Sequence, residues 1–241
     1  MSHNITIEGG TSVRLPTAGK YCDRDIVVTA TGGGGGDSDE LAKLLTNKLT
    51  SLDSNATSVR QFAFRGATAL TSVNLPKATS IETNAFYGSN IVSVNLPLVK
   101  SIGGNAFTNC GQLPYIVLPS LTSGDSHMFR YCYKLLTIDL PVIKNIVAYM
   151  FGDCRTLTAV ILRSETMCTL AATSGFYNCY HFHGTKNSQY NPDGLKDGYI
   201  YVPKALLSDE DETTDYRRAT NWSTFASQFR AIEDYPEICG G

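Results

Sequence analysis

The chain is short of charge. Asp, Glu, Lys and Arg supply 17% of its 241 residues and leave a net charge of −2, where an average soluble domain carries roughly 25% charged residues. The Lys and Arg are scattered, so no basic stripe marks a surface for nucleic acid or an anionic membrane. No apolar run reaches the ~20 residues needed to cross a bilayer, which argues against membrane insertion. The opening stretch, MSHNITIEGG, has no basic segment followed by an apolar one, so the expectation is synthesis in the cytoplasm without a secretory signal. G-x-S-x-G, H-E-x-x-H and the phosphate loop are also missing. Gly32 to Gly36 form a glycine run, but it lacks the lysine of a phosphate loop and reads as a flexible tether. The share left by charge goes to Ser, Thr and Asn, about a quarter of the chain.

What is present is a period. Phe64, Phe86, Phe107, Phe129, Phe151 and Phe176 follow one another at 22, 21, 22, 22 and 25 residues. Leu75–Pro76, Leu96–Pro97, Leu118–Pro119 and Leu140–Pro141 keep the same beat. Leu162–Arg163 keeps the leucine and loses the proline, and Val202–Pro203 resumes the pattern. In LTSVNLP, Val73 and Leu75 face one way and Ser72 and Asn74 the other, as in a half-buried strand. Proline ends that strand because it has no N–H for a ladder. A second apolar position follows at Ile81, Ile102 and Ile146, with Gly124 in that slot predicting a gap or local bend. Two residues of Ser, Gly or Asn type around Gly103–Gly104 predict a tight turn with unusual backbone angles. One such turn cannot bury its own apolar face, but stacked turns can, with strands pairing in parallel ~4.8 Å apart. The expected fold is a repeat solenoid, mainly β with short helices. About six coils would give a rod of roughly 25–30 Å.

A solenoid needs caps. Asp37 or Ser38 can cap a helix carrying Leu41, Leu44 and Leu45, and Leu49–Leu52 begins a degenerate first coil. The chain thus divides into a small β module at 1–31, a glycine linker at 32–36, an N-terminal cap and degenerate coil at 37–64, and repeat coils at 65–179. An inserted loop, a last strand at Tyr199–Pro203 and a helical cap fill 180–241. Within that cap Trp222, Phe225 and Phe229 share a helix face, and Trp222 is expected to cover the open end of the core. Residues 1–31 are too few to hold a core and are expected to fold on another copy or a partner.

Chemistry-bearing residues are sparse. Cys110, Cys132, Cys154 and Cys179 share one slot of the repeat, a spacing that spreads them along the rod instead of converging them on a metal. They read as buried thiols filling one core position. Cys22 and Cys239 lie outside that series, and reduced, cytosolic synthesis fits. His181 and His183 would share a face of an extended segment with Cys179 nearby, a metal half-site without a second pair, so no metal site is assigned and the segment reads as an exposed loop. The acidic run Asp209–Glu212 reads as a solvated helix start or loop. The outward strand positions say more. Ser72/Asn74 and Ser93/Asn95 are small and polar, whereas Tyr115, Val117, Thr137, Asp139, Ala159, Ile161, Tyr199 and Tyr201 bring in large and apolar groups. This later stretch is the candidate ligand or oligomer face. Strand propensity, or a C-terminal cap folded over the patch, would produce the same pattern.

The unit marked by Leu113, Ile116, Leu118, Pro119, Phe129 and Cys132, with its equivalents, resembles the BspA-type leucine-rich repeat over about residues 49–235. The tail YVPKALL…NWSTFASQFRAIEDYP is similar to segments that close such arrays. LPTAGKYCDRDIVVTATGG resembles short modules at the start of tail-associated proteins of phages and prophages of Gram-positive gut bacteria. The resemblance implies a right-handed solenoid with a binding or structural role, no catalytic residues and no cofactor. It further implies attachment to tail or baseplate proteins through the N-terminal module, a protein or glycan ligand on a cell surface, a homotrimer, and residence in a virion or tail particle. The repeats alone would equally suit a bacterial cell-surface adhesin.

Overall fold

The computed structural model describes residues 4–7, 11–14, 25–26, 49–208 and 215–239, with side chains described from residue 49 onward. The expected glycine linker, the cap helix carrying Leu41, Leu44 and Leu45, the run Asp209–Glu212, His3 and Cys22 lie outside these residues. The described N-terminal strands pair within the chain. β1 (Asn4–Ile7) is antiparallel to both β2 (Thr11–Arg14) and β4 (Leu49–Asp53), and β3 (Asp25–Ile26) runs parallel to β5 (Ser58–Val59). To that extent the expectation that this stretch folds on another chain is corrected.

The repeats form a β-solenoid of about five turns with few short helices, and each turn has three sides. The first side stacks β4, β6 (Ser72–Asn74), β8 (Ser93–Asn95), β10 (Tyr115–Val117), β12 (Thr137–Asp139), β14 (Ala159–Ile161) and β16 (Tyr199–Val202). Successive strands pair parallel and in register, Ser72 on Ser93 and Thr137 on Ala159, except between β8 and β10. Alternation points Val73, Ile116, Ile138, Val160 and Ile200 inward, and all five are buried. The second side stacks two-residue strands: β5, β7 (Ser80–Ile81), β9 (Ser101–Ile102), β11 (Ser123–Gly124), β13 (Asn145–Ile146) and β15 (Thr169–Leu170). Their inward residues are the second apolar position read from the sequence.

The third side is a run of turns, and it is also joined coil to coil. Phe64, Phe86, Phe107 and Phe129 donate their N–H to the carbonyls of Ala85, Ala106, Met128 and Met150 at 2.7–3.0 Å. Beneath them the phenylalanine rings stack with centroids 5.4, 5.2, 5.6, 6.3 and 5.5 Å apart from Phe64 to Phe176. Sharp bending there needs positive φ once or twice per coil. Asn84, Asn105, His127 and Tyr149 form one such row, and Gly66, Gly88, Asn109, Tyr131, Asp153 and Asn178 another. Asn tolerates this region better than most side chains. The unusual angle expected around Gly103–Gly104 falls on Asn105. Gly103 is required for a different reason: a Cβ there would lie 2.6 Å from the Thr83 nitrogen of the coil before.

Two interruptions break the sheets. Val92, Leu136 and Thr158 each donate N–H to the preceding coil, to Thr71, Pro114 and Leu136 respectively, at 2.8–3.0 Å. Pro114 stands in the same row and has no N–H to give. The first side therefore splits into two sheets, one ending at β8 and the other starting at β10, and Val94 is only half-buried where its equivalents are buried. The second side splits one coil later, after Gly124. The gap expected at Gly124 is filled: a Cβ there would lie 2.4 Å from the Met128 sulfur, and Met128 is fully buried. A long, flexible thioether replaces the missing isoleucine.

The C-terminal cap departs from the expectation in detail. Tyr199–Val202 is a strand, but the sheet continues with β17 (Phe229–Ala231). The helix foreseen near 222–230 is a 3-10 segment, Trp222–Gln228, and Phe229 belongs to β17. Trp222 does lie against the last ring of the stack, 6.2 Å from Phe176, and its Nε1 donates to the Cys168 carbonyl at 2.7 Å. Replacing Phe129 with Ala empties a slot shared by two neighbouring rings and should cost ~3–5 kcal/mol, read as a lower midpoint in urea denaturation. Gly103→Ala should also destabilise, whereas Gly104→Ala, whose Cβ would meet nothing closer than 3.6 Å, should be nearly neutral in the same assay.

Candidate functional site

The outward residues of the first side form rows along the rod, and their character changes from coil to coil. In the first coils they satisfy one another. Asn74 Nδ2 donates to Asp53 Oδ1 at 2.9 Å, and Asn95 Nδ2 to Asn74 Oδ1 at 2.7 Å. At β10 this polar ladder gives way to Tyr115 and Val117, 60% and 48% exposed. Val92 and Leu136, at the corresponding approach to the strands on either side, are exposed as well. Four large apolar groups on three neighbouring coils thus surround the break at Pro114. Sequence reasoning identified Tyr115 and Val117. It passed over Val92, Leu136 and the missing N–H of Pro114, which was legible in the stretch QLPYIVLP.

The rest of the predicted face is not open. Thr137 and Tyr199 are half-buried, while Asp139, Ala159, Ile161 and Tyr201 are buried. Ala159, Ile161 and Tyr201 cluster with Cys239, with Ile232 and Tyr235 packed against them, and the rings of Tyr201 and Tyr235 lie 5.5 Å apart. Arg230 covers Tyr199, its guanidinium 4.1 Å from the ring centroid. Asp139 is clasped by Arg163, through Nε at 2.9 and 3.2 Å and Nη2 at 2.7 Å, and Nη2 also donates to the Cys239 carbonyl. The expectation of one outward face from Tyr115 to Tyr201 is corrected: the last turn, Pro236–Cys239, and the segment before it fold over the later strands. The repeat loses its proline at Arg163, and that arginine is the residue that fastens the cap.

The cysteines occupy the slot assigned to them. Cys110, Cys132, Cys154 and Cys179 are buried and unbridged. Each thiol donates to a phenylalanine carbonyl of the preceding coil: Phe86 at 3.2 Å, Phe107 at 3.2 Å, Phe129 at 3.0 Å and Phe151 at 3.0 Å. Burial raises all four thiols above their ordinary range. The histidines lie on the helical turn Tyr180–His183, not on an extended segment; His181 is half-buried and His183 exposed. His181 Nδ1 pairs with Asp197 at 2.6 Å, and His183 Nε2 with the Phe176 carbonyl at 2.9 Å. Among the described residues no three His, Cys, Asp or Glu side chains converge as metal ligands, and no helix is long and apolar enough to cross a membrane. A shallow groove of about 330 Å³ runs along the second side over Ser80, Ser101 and Ser123, with Glu82 and Asp125 at its rim.

Residues 45–158 match six copies of the BspA type leucine-rich repeat region. Among solved structures, a leucine-rich repeat protein of T. pallidum is 28% identical, with 62% of this chain and 69% of that one aligned and a TM-score of 0.48. The pneumococcal vaccine antigen PcpA is 16% identical over 68% of this chain and 39% of its own, with a TM-score of 0.51. A leucine-rich cell surface protein of Faecalibacterium prausnitzii is 20% identical over 83% of this chain and 52% of its own, with a TM-score of 0.41. No curated protein matches the chain by sequence.

The thiol ladder makes two predictions. In the native protein at pH 8 the four repeat cysteines should resist an alkylating reagent and react only in denaturant, as intact mass will show. Their folded-state values lie above the ordinary thiol value of 9.0. The stabilisation is therefore fully present below that value and is lost as pH rises above it, because the unfolded chain releases its thiol protons first. The urea midpoint should fall above about pH 9, and replacing the four cysteines with Ala should flatten that fall.

Proposed function

We propose that the repeat region is a recognition scaffold whose working surface is the strand side around β10. The observation that carries this reading is the exposure of Tyr115 and Val117, with Val92 and Leu136, beside a break in a side that is otherwise polar or capped. Contiguous exposed apolar groups on a soluble fold mark contact surfaces, and tyrosine gives large contact area with few torsions to freeze. A ligand there would be a protein or glycan of a cell surface. The repeat thiols are buried as neutral groups, and both ring nitrogens of His181 are engaged, by Asp197 and the Tyr190 carbonyl. A binding role is the simpler use of the scaffold.

By its resemblance to modules of tail-associated proteins, the N-terminal stretch LPTAGKYCDRDIVV would fix the chain to a phage or prophage tail or baseplate, as a trimer, with the solenoid held outward. Mass spectrometry of purified particles tests the location. Finding the chain there supports this reading, and finding it intact on the cell surface without particles would make it an adhesin-like repeat protein instead. The surface has its own test. Tyr115→Ser, alone or with Val117→Ser, should leave the unfolding free energy from urea denaturation within about 0.5 kcal/mol of the parent, as expected of exposed positions. It should reduce attachment to cells or the size of the oligomer in solution. Unchanged attachment and unchanged oligomer size would exclude this face.

A further inference from the structure

The turn side carries a second feature that the strand face does not explain. Arg155 sits among three tyrosine rings, with its guanidinium carbon 5.0 Å from the centroid of Tyr133, 5.7 Å from Tyr180 and 5.3 Å from Tyr190. These rings come from separate places: Tyr133 from the preceding coil, Tyr180 from the helical turn, and Tyr190 from the inserted loop. Tyr133 and Tyr190 stack at 6.4 Å, and Tyr180 meets Tyr190 edge-on at 6.2 Å. Two other arginines of this side also lie over rings: Arg65, over Phe62 and Tyr87, is exposed to solvent, and Arg130, 4.5 Å from Tyr131 and 5.5 Å from Tyr149, has a counter-charge in Asp153 at 3.3 Å. Asp153 is further engaged by Asn178. Among the described residues Arg155 has no carboxylate partner and donates no hydrogen bond. Its Nε is closed off from solvent without an acceptor, while its two terminal nitrogens are not.

A guanidinium drawn partly out of water without a counter-charge is costly, and three ring faces offset only part of that cost. The accessible end presents two terminal nitrogens side by side, the fork that matches the two oxygens of a carboxylate. Around it the tyrosines offer flat apolar rings that sugar C–H faces can stack on, and phenolic hydroxyls that can donate and accept among sugar hydroxyls. We infer that Arg155 with Tyr133, Tyr180 and Tyr190 is a binding site for an acidic saccharide, the carboxylate of one sugar ring seated end-on against the Arg155 terminal nitrogens. The site is on the turn side, and it stands whether or not the strand face around Tyr115 binds anything.

The test is calorimetric titration of the full chain at low salt with tetragalacturonate and with a sialylated trisaccharide, beside carboxyl-reduced tetragalacturonate and a glutamate-rich peptide. At least one acidic saccharide should bind, and neither the reduced oligomer nor the peptide should. Arg155→Lys keeps the charge and its place over the rings but loses the fork, and should weaken binding by about tenfold or more. Its thermal midpoint should match the parent, which separates a lost ligand contact from a lost fold. Tyr190→Phe keeps the ring and should weaken binding less. Tyr115→Ser should leave this binding unchanged, so the two surfaces fail or succeed separately. Absence of binding by both acidic saccharides, equal binding of the reduced oligomer or the peptide, or unchanged affinity in Arg155→Lys would each overturn the inference.

Discussion

Backbone hydrogen bonding from coil to coil along three sides, with sheet pairing interrupted at Pro114 on the first and after Gly124 on the second, is the constraint the rest of the structure obeys. It fixes the rise per coil near the ~4.8 Å spacing of paired strands, and so it fixes what fits inside. A phenylalanine can sit on a phenylalanine because ring spacings of 5.2–6.3 Å are close to that rise. A thiol can reach the carbonyl one coil back for the same reason. Where two backbones come closer than a side chain allows, as at Gly103, only glycine is tolerated. Substitutions in the interior therefore act on neighbours above and below, not on one residue's surroundings alone.

The same constraint leaves function few places to reside. Inward positions are committed to packing, and much of the small polar outside is committed to itself, as the Asp53–Asn74–Asn95 ladder is. What remains are positions where the pattern lapses. Pro114 withholds one N–H, and apolar groups gather beside the opening. The loop inserted after Cys179 brings Tyr190 against Arg155. The cap, by contrast, spends outward positions on packing and takes Ala159, Ile161 and Tyr201 out of reach.

This division explains what could be read from the sequence. The phenylalanine period, the parallel in-register strands and the cysteine slot were legible because each position recurs and means the same thing every time. Val117 could be read as outward, and it is. Tyr201 was read as outward by the same alternation and is buried, because alternation says which side of a strand a residue faces and not what lies on that side. The covering element, residues 232–239, has no repeat to announce it. The 3-10 form of Trp222–Gln228 was likewise hidden, since the spacing of Trp222 and Phe225 suits either kind of helix. The positive φ expected of the Ser, Gly or Asn residues around Gly103–Gly104 falls on Asn105, since composition places a turn without naming the one residue that takes the strained angle.

Arg163 draws a boundary in the chain's history as well as in its shape. The clasp on Asp139 and on the Cys239 carbonyl ties the terminal segment to particular coils, so no unit can be added between them without undoing it. Upstream, each coil meets its neighbours through interchangeable slots, and a duplicated stretch of 21 or 22 residues would find the same ring, the same strand and the same turn waiting on both sides. Lengthening of this array is therefore open in its interior and closed at its end, and relatives of different length should differ by whole units inserted before Asp139 with the closing segment unchanged.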